Sequence, residues 1–285
     1  MNADTVHIST AHSKPSAGKV RGDYLSLGSE RFYRIANYDR MDPFFMSIVS
    51  ASNHWLFISS QGALTAGRQN SNNALFPYYT EDKIHDNADH TGSRTILRVI
   101  REDRRFLWEP FSRHCGSLYE VSRNIYKNVY GNKLIFEEVN SDLELVFRYT
   151  WTSSDRFGFV KRSELVNTSR ESASVEVLDG IENILPWGVA EAFQNNYSCL
   201  GDAYKQNELE AETGLATYAF SSLPGDSPEP SEASRATVCW STCPLDATRL
   251  LSSLQLDTFR RGGVVRTEAR CADGAEPSSF KRRKT

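Results

Sequence analysis

The stretch from Asn53 to Asp86 gathers the densest set of chemistry-bearing side chains in the sequence. An apolar run, His54-Trp55-Leu56-Phe57-Ile58-Ser59-Ser60, leads into Gly62-Ala63-Leu64-Thr65-Ala66-Gly67-Arg68, and Leu75-Phe76-Pro77-Tyr78-Tyr79-Thr80-Glu81-Asp82-Lys83-Ile84-His85-Asp86 follows. The run reads as a strand and the remainder as a long loop hung on it, the place where binding residues concentrate. Such a mixture suits a sugar. Aromatic faces cover C–H surfaces, while charged and amide groups exchange hydrogen bonds with hydroxyls. The candidate carbohydrate-binding residues are therefore Arg68, Tyr78, Tyr79, Glu81, Asp82, Lys83 and His85. Trp187, in Leu185-Pro186-Trp187-Gly188, adds an aromatic platform.

Each candidate also has a plainer reading. Tyr78 and Tyr79 are neighbours, so on an extended chain they point to opposite sides and one of them packs inward. Glu81, Asp82 and Asp86 do not make a glycosidase pair, because two such carboxylates face each other about 5 to 9.5 Å apart. Gly62 to Gly67 lacks the Lys-Ser/Thr ending of a phosphate loop, leaving Arg68 beside a tight turn. His85 and His90 flank Asp86 and Asp89 at a spacing too common to assign a metal. No serine lies in a nucleophile elbow and no cysteine in a recognised active-site context, so no catalytic residue, metal or cofactor is expected.

In the elements that hold these residues, the dominant period is two. Leu143, Leu145, Phe147, Tyr149 and Trp151 share one face of a strand, with Glu144, Val146, Arg148 and Thr150 on the other. The preceding strand, Asn132 to Asn140, joins it through Asn140-Ser141-Asp142, as in a hairpin. Phe157 to Val166 and Ser174 to Ile181 continue the series. Arg31–Ala36, Phe44–Ser50, Trp55–Ser60, Thr95–Ile100, Arg105–Trp108 and Tyr119–Tyr126 precede it, and Leu215–Ser221 and Ala236–Thr242 follow. Strands in series with Asn/Ser/Asp turns give an all-β, antiparallel fold, expected here as one large two-sheet sandwich. One or two short helices are expected, a weak one over Val189–Tyr204 and a better one over Asp246–Arg261 that Gly262-Gly263 would end.

Composition narrows the function classes. The 39% hydrophobic content supports a core, and a net charge of −3 gives no reason to expect nucleic acid or an anionic membrane as partner. No run of about 18 apolar residues is present to span a bilayer. Met1 to Gly18 lacks the apolar segment of a secretory signal, and residues 1–19 are expected to be a disordered leader. The five cysteines, Cys115, Cys199, Cys239, Cys243 and Cys271, are odd in number and scattered. They read as reduced thiols of a cytoplasmic protein.

Several segments resemble one family: Arg21-Gly22-Asp23-Tyr24, Phe32-Tyr33-Arg34-Ile35, Met41-Asp42-Pro43-Phe44-Phe45, Trp55 to Asp86, Asn128-Val129-Tyr130-Gly131-Asn132-Lys133 and Asp179-Gly180-Ile181-Glu182-Asn183-Ile184-Leu185-Pro186. From Val20 to Gly263 the chain is similar to the N-terminal β-sandwich of large bacterial cellobiose phosphorylase-like and amylo-glucosidase-like proteins. These stand near the glycoside hydrolase family that contains disaccharide phosphorylases. The resemblance implies a galactose-mutarotase-like supersandwich over 20–244 and the start of a helical linker over 245–263. In such proteins an (α/α)6 barrel follows and carries the catalytic acid. The sandwich lends a loop to the site and helps form a dimer. The implied partners are an oligosaccharide or sugar phosphate, the barrel, and a second copy in a homodimer. No catalytic residue carries over to this sequence.

Residues 264–285 are expected to be a disordered tail. In the neighbouring frame from the Arg270 codon, codon degeneracy permits Val-Arg-Gly-Arg-Arg-Gly-Ala-Phe-Phe-Val, which resembles what similar proteins have after Thr267-Glu268-Ala269. The expectation is an out-of-frame tail on a truncated domain, inactive alone. A stand-alone carbohydrate-binding module and a mutarotase-like epimerase, with a His and a carboxylate on one concave face, are the alternatives.

Overall fold

Alternation in Leu143 to Trp151 builds the centre of the largest sheet. In the computed structural model, residues 6–7, 18–78, 83–101, 103–113, 117–196, 201, 204–222, 234–243 and 245–272 are described. The chain divides into two compact units, Met1–Leu64 with Thr80–Gly180, and Thr65–Tyr79 with Ile181–Thr285. The division departs from the single sandwich expected over 20–244, because the 65–79 segment clusters with the C-terminal part of the chain.

In the first unit, β2 (Arg21–Leu27), β3 (Glu30–Ala36), β10 (Val121–Asn128), β11 (Lys133–Asn140), β12 (Leu145–Ser154) and β13 (Gly158–Asn167) form a six-stranded sheet in the order β13-β12-β11-β10-β3-β2. Every pairing in it is antiparallel. Leu145, Phe147, Tyr149 and Trp151 are all buried on one face, and Leu143 is buried just ahead of β12 in the connecting turn. Their neighbours in register, Leu134 opposite Trp151 and Phe136 opposite Tyr149, are buried with them. Tyr38, from a short 3-10 turn, and Phe111 close edge-on over Phe136.

A second sheet of this unit runs β1 (Val6–His7), β9 (Arg104–Trp108), β8 (Gly92–Arg101) and β14 (Ser174–Glu182), in the order β1-β9-β8-β14. The β1–β9 pairing is parallel, Val6 opposite Arg105, so the expected leader contributes a strand at Val6–His7. Two contacts tie this sheet to the apolar face of the first. Trp108 Nε1 donates to Glu138 Oε1 at 2.7 Å. Lys161 Nζ reaches Asp179 Oδ1 at 2.7 Å, and Thr95 Oγ1 donates to the same oxygen. A hairpin of β4 (Phe45–Ile48) and β5 (His54–Ser59) completes the unit.

In the second unit, β6 (Leu64–Arg68, all but its first residue) pairs with β7 (Ala74–Phe76) across a register shift at Gly67. β15 (Lys205–Glu210), β16 (Leu215–Phe220), β17 (Thr237–Cys239) and β18 (Arg270–Ala272) make a four-stranded sheet ordered β17-β16-β15-β18. Residues 264–272, expected to begin a disordered tail, are part of this structure: β18 pairs antiparallel with β15, and Glu268 accepts hydrogen bonds from Leu251 N, Ser252 N, Ser252 Oγ and Gln255 Nε2. The described helices include α1 (Glu191–Asn196), within the expected Val189–Tyr204 span, of which residues 197–200 and 202–203 lie outside the described residues, and α2 (Leu256–Arg260), shorter than the Asp246–Arg261 helix the sequence predicts. The Glu268 carboxylate holds the backbone before α2 outside the helix by taking its N–H groups. No helix among the described residues is long and apolar enough to cross a membrane.

Candidate functional site

The nominated loop does not fall within one unit. Arg68 ends β6, exposed, in the second unit, with Tyr78 and Trp187. Tyr78 is half-buried, and its backbone N–H donates to Gln194 Oε1 of α1 at 2.9 Å. Trp187 is 37% exposed, with the Arg235 guanidinium 4.8 Å above its ring. Lys83 and His85 belong to the first unit, Lys83 exposed at the start of a 3-10 turn and His85 half-buried within it. Tyr79, Glu81 and Asp82 lie outside the described residues. Among the described residues, no cluster of three or more His, Cys, Asp or Glu side chains could hold a metal ion.

A set of polar side chains not singled out from the sequence crosses the other face of the six-stranded sheet, opposite Tyr149, where Tyr126, Asn124 and Glu137 are buried. Asp23 on β2 grips Arg34 on β3 through two hydrogen bonds of 2.9 Å. Arg34 also bonds Tyr126 on β10. Tyr126 Oη, Asn124 Nδ2 and Arg148 Nε all donate to Glu137, at 2.6, 2.8 and 2.5 Å. Register explains the row, since Asp23 faces Arg34, Arg34 faces Tyr126, and Asn124, Glu137 and Arg148 stand side by side. The carboxylate of Glu137 is occupied by its donors, as in a structural network, and is not poised for proton transfer.

Burial pushes the Glu137 carboxyl up, but the bonds from Tyr126, Asn124 and Arg148 outweigh it and hold the group below the ordinary glutamate value. A lowered folded-state value stabilises the fold above the unfolded value, about 4.3, and the contribution is lost as pH falls through the folded one. Urea midpoints measured from pH 7 down to pH 3 are therefore expected to drop below about pH 4.3, and Glu137→Gln to shrink that drop. An unchanged pH profile in the variant would remove Glu137 from this role.

The adjacent Glu138 points to the apolar face, as alternation requires. It accepts from Trp108 Nε1, from Phe111 N at 2.6 Å and from Arg123 Nε at 2.7 Å, and Arg123 Nη2 donates to Ser112 O. These bonds fix the turn from Glu109 to Ser112. The turn, together with Gly62, Asp89, Ser93, Arg94, Thr95 and Tyr149, walls a recess of about 30 Å³, space for one or two waters. Ligand pockets are commonly about 300 to 1,000 Å³, so a whole sugar ring does not fit it.

At the edge of the same sheet, Tyr24 and Tyr33 form an outward platform. They face each other across β2 and β3, ring centroids 5.0 Å apart at 62°. They are 60% and 41% exposed, and the Arg31 guanidinium lies 4.6 Å over Tyr24. The Tyr33 ring spreads across Gly22, where a Cβ would come within 2.0 Å of its hydroxyl. The sequence signal was the alternation Tyr33-Arg34-Ile35 opposite a glycine.

No known protein-family model matches the chain, and no curated protein matches it.

Proposed function

We propose that the chain is a non-catalytic, carbohydrate-associated module of the glycoside phosphorylase and hydrolase type, built on a galactose-mutarotase-like sandwich. The observation that carries this reading is the exposed Tyr24–Tyr33 pair beside Arg31, a ring surface with a hydrogen-bond donor at its edge. That pairing takes a C–H face and a hydroxyl together. Support for a binding role over catalysis comes from the carboxylates of the large sheet, since Glu137 and Glu138 each hold three donors. The two-sheet sandwich is supported in the first unit by Trp108 and Lys161, which bridge its sheets.

The epimerase reading is less well supported, because no strand of the six-stranded sheet contains a histidine to work with a carboxylate there. The test is calorimetry of the full chain with cellobiose and longer cello-oligosaccharides. Micromolar-to-millimolar binding is expected, and the double change Tyr24→Ala with Tyr33→Ala is expected to weaken it about tenfold or more. Binding that ignores both tyrosines, or no binding at all, would overturn the platform.

A further inference from the structure

The Tyr149 side chain forms part of the wall of the recess beside the Glu109–Ser112 turn. The residue is 2% exposed, its ring is stacked on Phe136 with centroids 4.8 Å apart, and it lines the recess with its oxygen beside Gly62. A phenolic hydroxyl on the wall of a recess can both donate to and accept from a water or a ligand there. The neighbouring backbone is shaped to leave that space open. Gly62, at φ 89°, would place a Cβ 3.3 Å from the Tyr149 oxygen. Gly92, at φ 110°, would place one 2.6 Å from the Gly62 carbonyl oxygen, so neither position tolerates a side chain. On the opposite wall Phe111 stands at φ 64°, a left-handed conformation unusual for a non-glycine residue. It is held there by Glu138 and by ring contacts to Phe136, Phe147 and Tyr149. Strained residues of this kind concentrate at functional sites.

We infer that this recess is a subsite for a vicinal diol at the edge of a neutral sugar. The inference rests on the carbohydrate reading above and names the part of the ligand that the first unit takes. Two oxygens of a vicinal diol lie about 2.8 Å apart, the spacing of two hydrogen-bonded waters, and the recess has room for that pair. A hydroxyl both donates and accepts, and the walls offer both roles. Asp89 and Glu109 carry acceptors, Arg94 carries donors, Ser93, Ser112 and Tyr149 carry hydroxyls that serve as either, and Thr95, whose proton goes to Asp179, can accept. With Asp89 paired to Arg113, the charges of Asp89, Glu109, Arg94 and Arg113 cancel, so the recess offers a phosphate no excess of positive charge and suits an uncharged polyol. Asp89 is held at the rim by Arg113, 2.8 Å away, and Arg113 also donates to Gln61.

The experiment is an amide NMR titration of the full chain with cellobiose, and separately with inorganic phosphate. Cellobiose is expected to shift the Gly62, Gly92 and Phe111 amides with one dissociation constant, and phosphate to leave them still. Tyr149→Phe removes only the hydroxyl and is expected to weaken the cellobiose effect at these amides about 2- to 10-fold. Gly62→Ala should abolish it by filling the space. If Gly62→Ala fails to fold, Tyr149→Phe still decides. Shifts at Tyr24 and Tyr33 with none around Gly62 would overturn the subsite and leave the binding module standing. Silence at both places would overturn both, and a response to phosphate in place of cellobiose would overturn the diol assignment.

Discussion

Replacing Glu138 by alanine is expected to lower the free energy of unfolding by about 3 to 5 kcal/mol, read as a fall in the urea midpoint with the slope unchanged. The carboxylate sits on the apolar face of the largest sheet with its side chain 2% exposed, and Arg123, its ion-pair partner, is 12% exposed. Burial pushes the Arg123 guanidinium down, but attraction to Glu138 and its neighbours more than compensates, so the charge pair is sustained inside the fold. Removing the carboxylate strands three donors at once: Trp108 Nε1, Phe111 N and the Arg123 guanidinium. Stranding a buried charge is the costly part, because its desolvation is no longer offset. Glu138→Gln should recover less than half of the loss, since an amide keeps one acceptor and turns two donors toward three donors. Replacing Arg123 by methionine together with Glu138 by leucine should be less harmful than Glu138→Ala, a non-additivity that a double-mutant cycle measures. A loss below about 1 kcal/mol for Glu138→Ala would mean that the carboxylate is not desolvated as described.

The strands that the sequence announces are those with one buried and one wetter face. Leu143 to Trp151 alternates because its apolar residues fill one face while the other holds polar and partly buried groups, and the hairpin before it is visible in Asn140-Ser141-Asp142. The strands that the sequence conceals are those at edges or in polar company. β2 is largely exposed along its length, and β15, Lys-Gln-Asn-Glu-Leu-Glu, has the composition of a helix. It is extended because β16 and β18 both pair with it, tertiary pairing overriding local preference. The helix expected over Asp246–Arg261 shrinks to its last turn because Glu268 captures the backbone of Leu251 and Ser252.

The candidate site was legible in kind and not in place. Aromatics, charges and glycines in the Asn53–Asp86 stretch drew attention to Gly62, which does wall the recess, but the side chains beside it come from β8, β12 and the Glu109–Ser112 turn. No spacing rule brings Tyr149 to Gly62, since their meeting depends on how two sheets stack. One signal was available. Glu137 and Glu138 are adjacent in a strand flanked by apolar residues, so alternation sends one of them into the core. A buried carboxylate needs donors, and the indole of a nearby tryptophan strand and an arginine two residues into β10 are natural partners.

Phe136→Ala is the change expected to damage both the core and the recess. Phe136 is fully buried on β11 and is the hub of the ring cluster, stacked at 12° on Tyr149 and met edge-on by Tyr38 and Phe111, each centroid 6.1 Å away. Truncation removes its ring from water-free packing and leaves a cavity that the surrounding strands, hydrogen-bonded on both sides, cannot close. The expected loss is about 3 to 5 kcal/mol in chemical unfolding. Phe136→Leu keeps most of the volume and should lose about half as much or less. The consequence for function follows from the stack. Tyr149 is aimed at Gly62 by the ring beneath it, so Phe136→Leu, which stays folded, should weaken the cellobiose shifts at the Gly62 amide although it touches no ligand. The same variant should leave shifts at Tyr24 and Tyr33 unchanged, because the platform lies at the far edge of the sheet on β2 and β3. Equal losses at both places would mean that the variant has loosened the whole sheet, and that the aim of Tyr149 is not what Phe136 supplies.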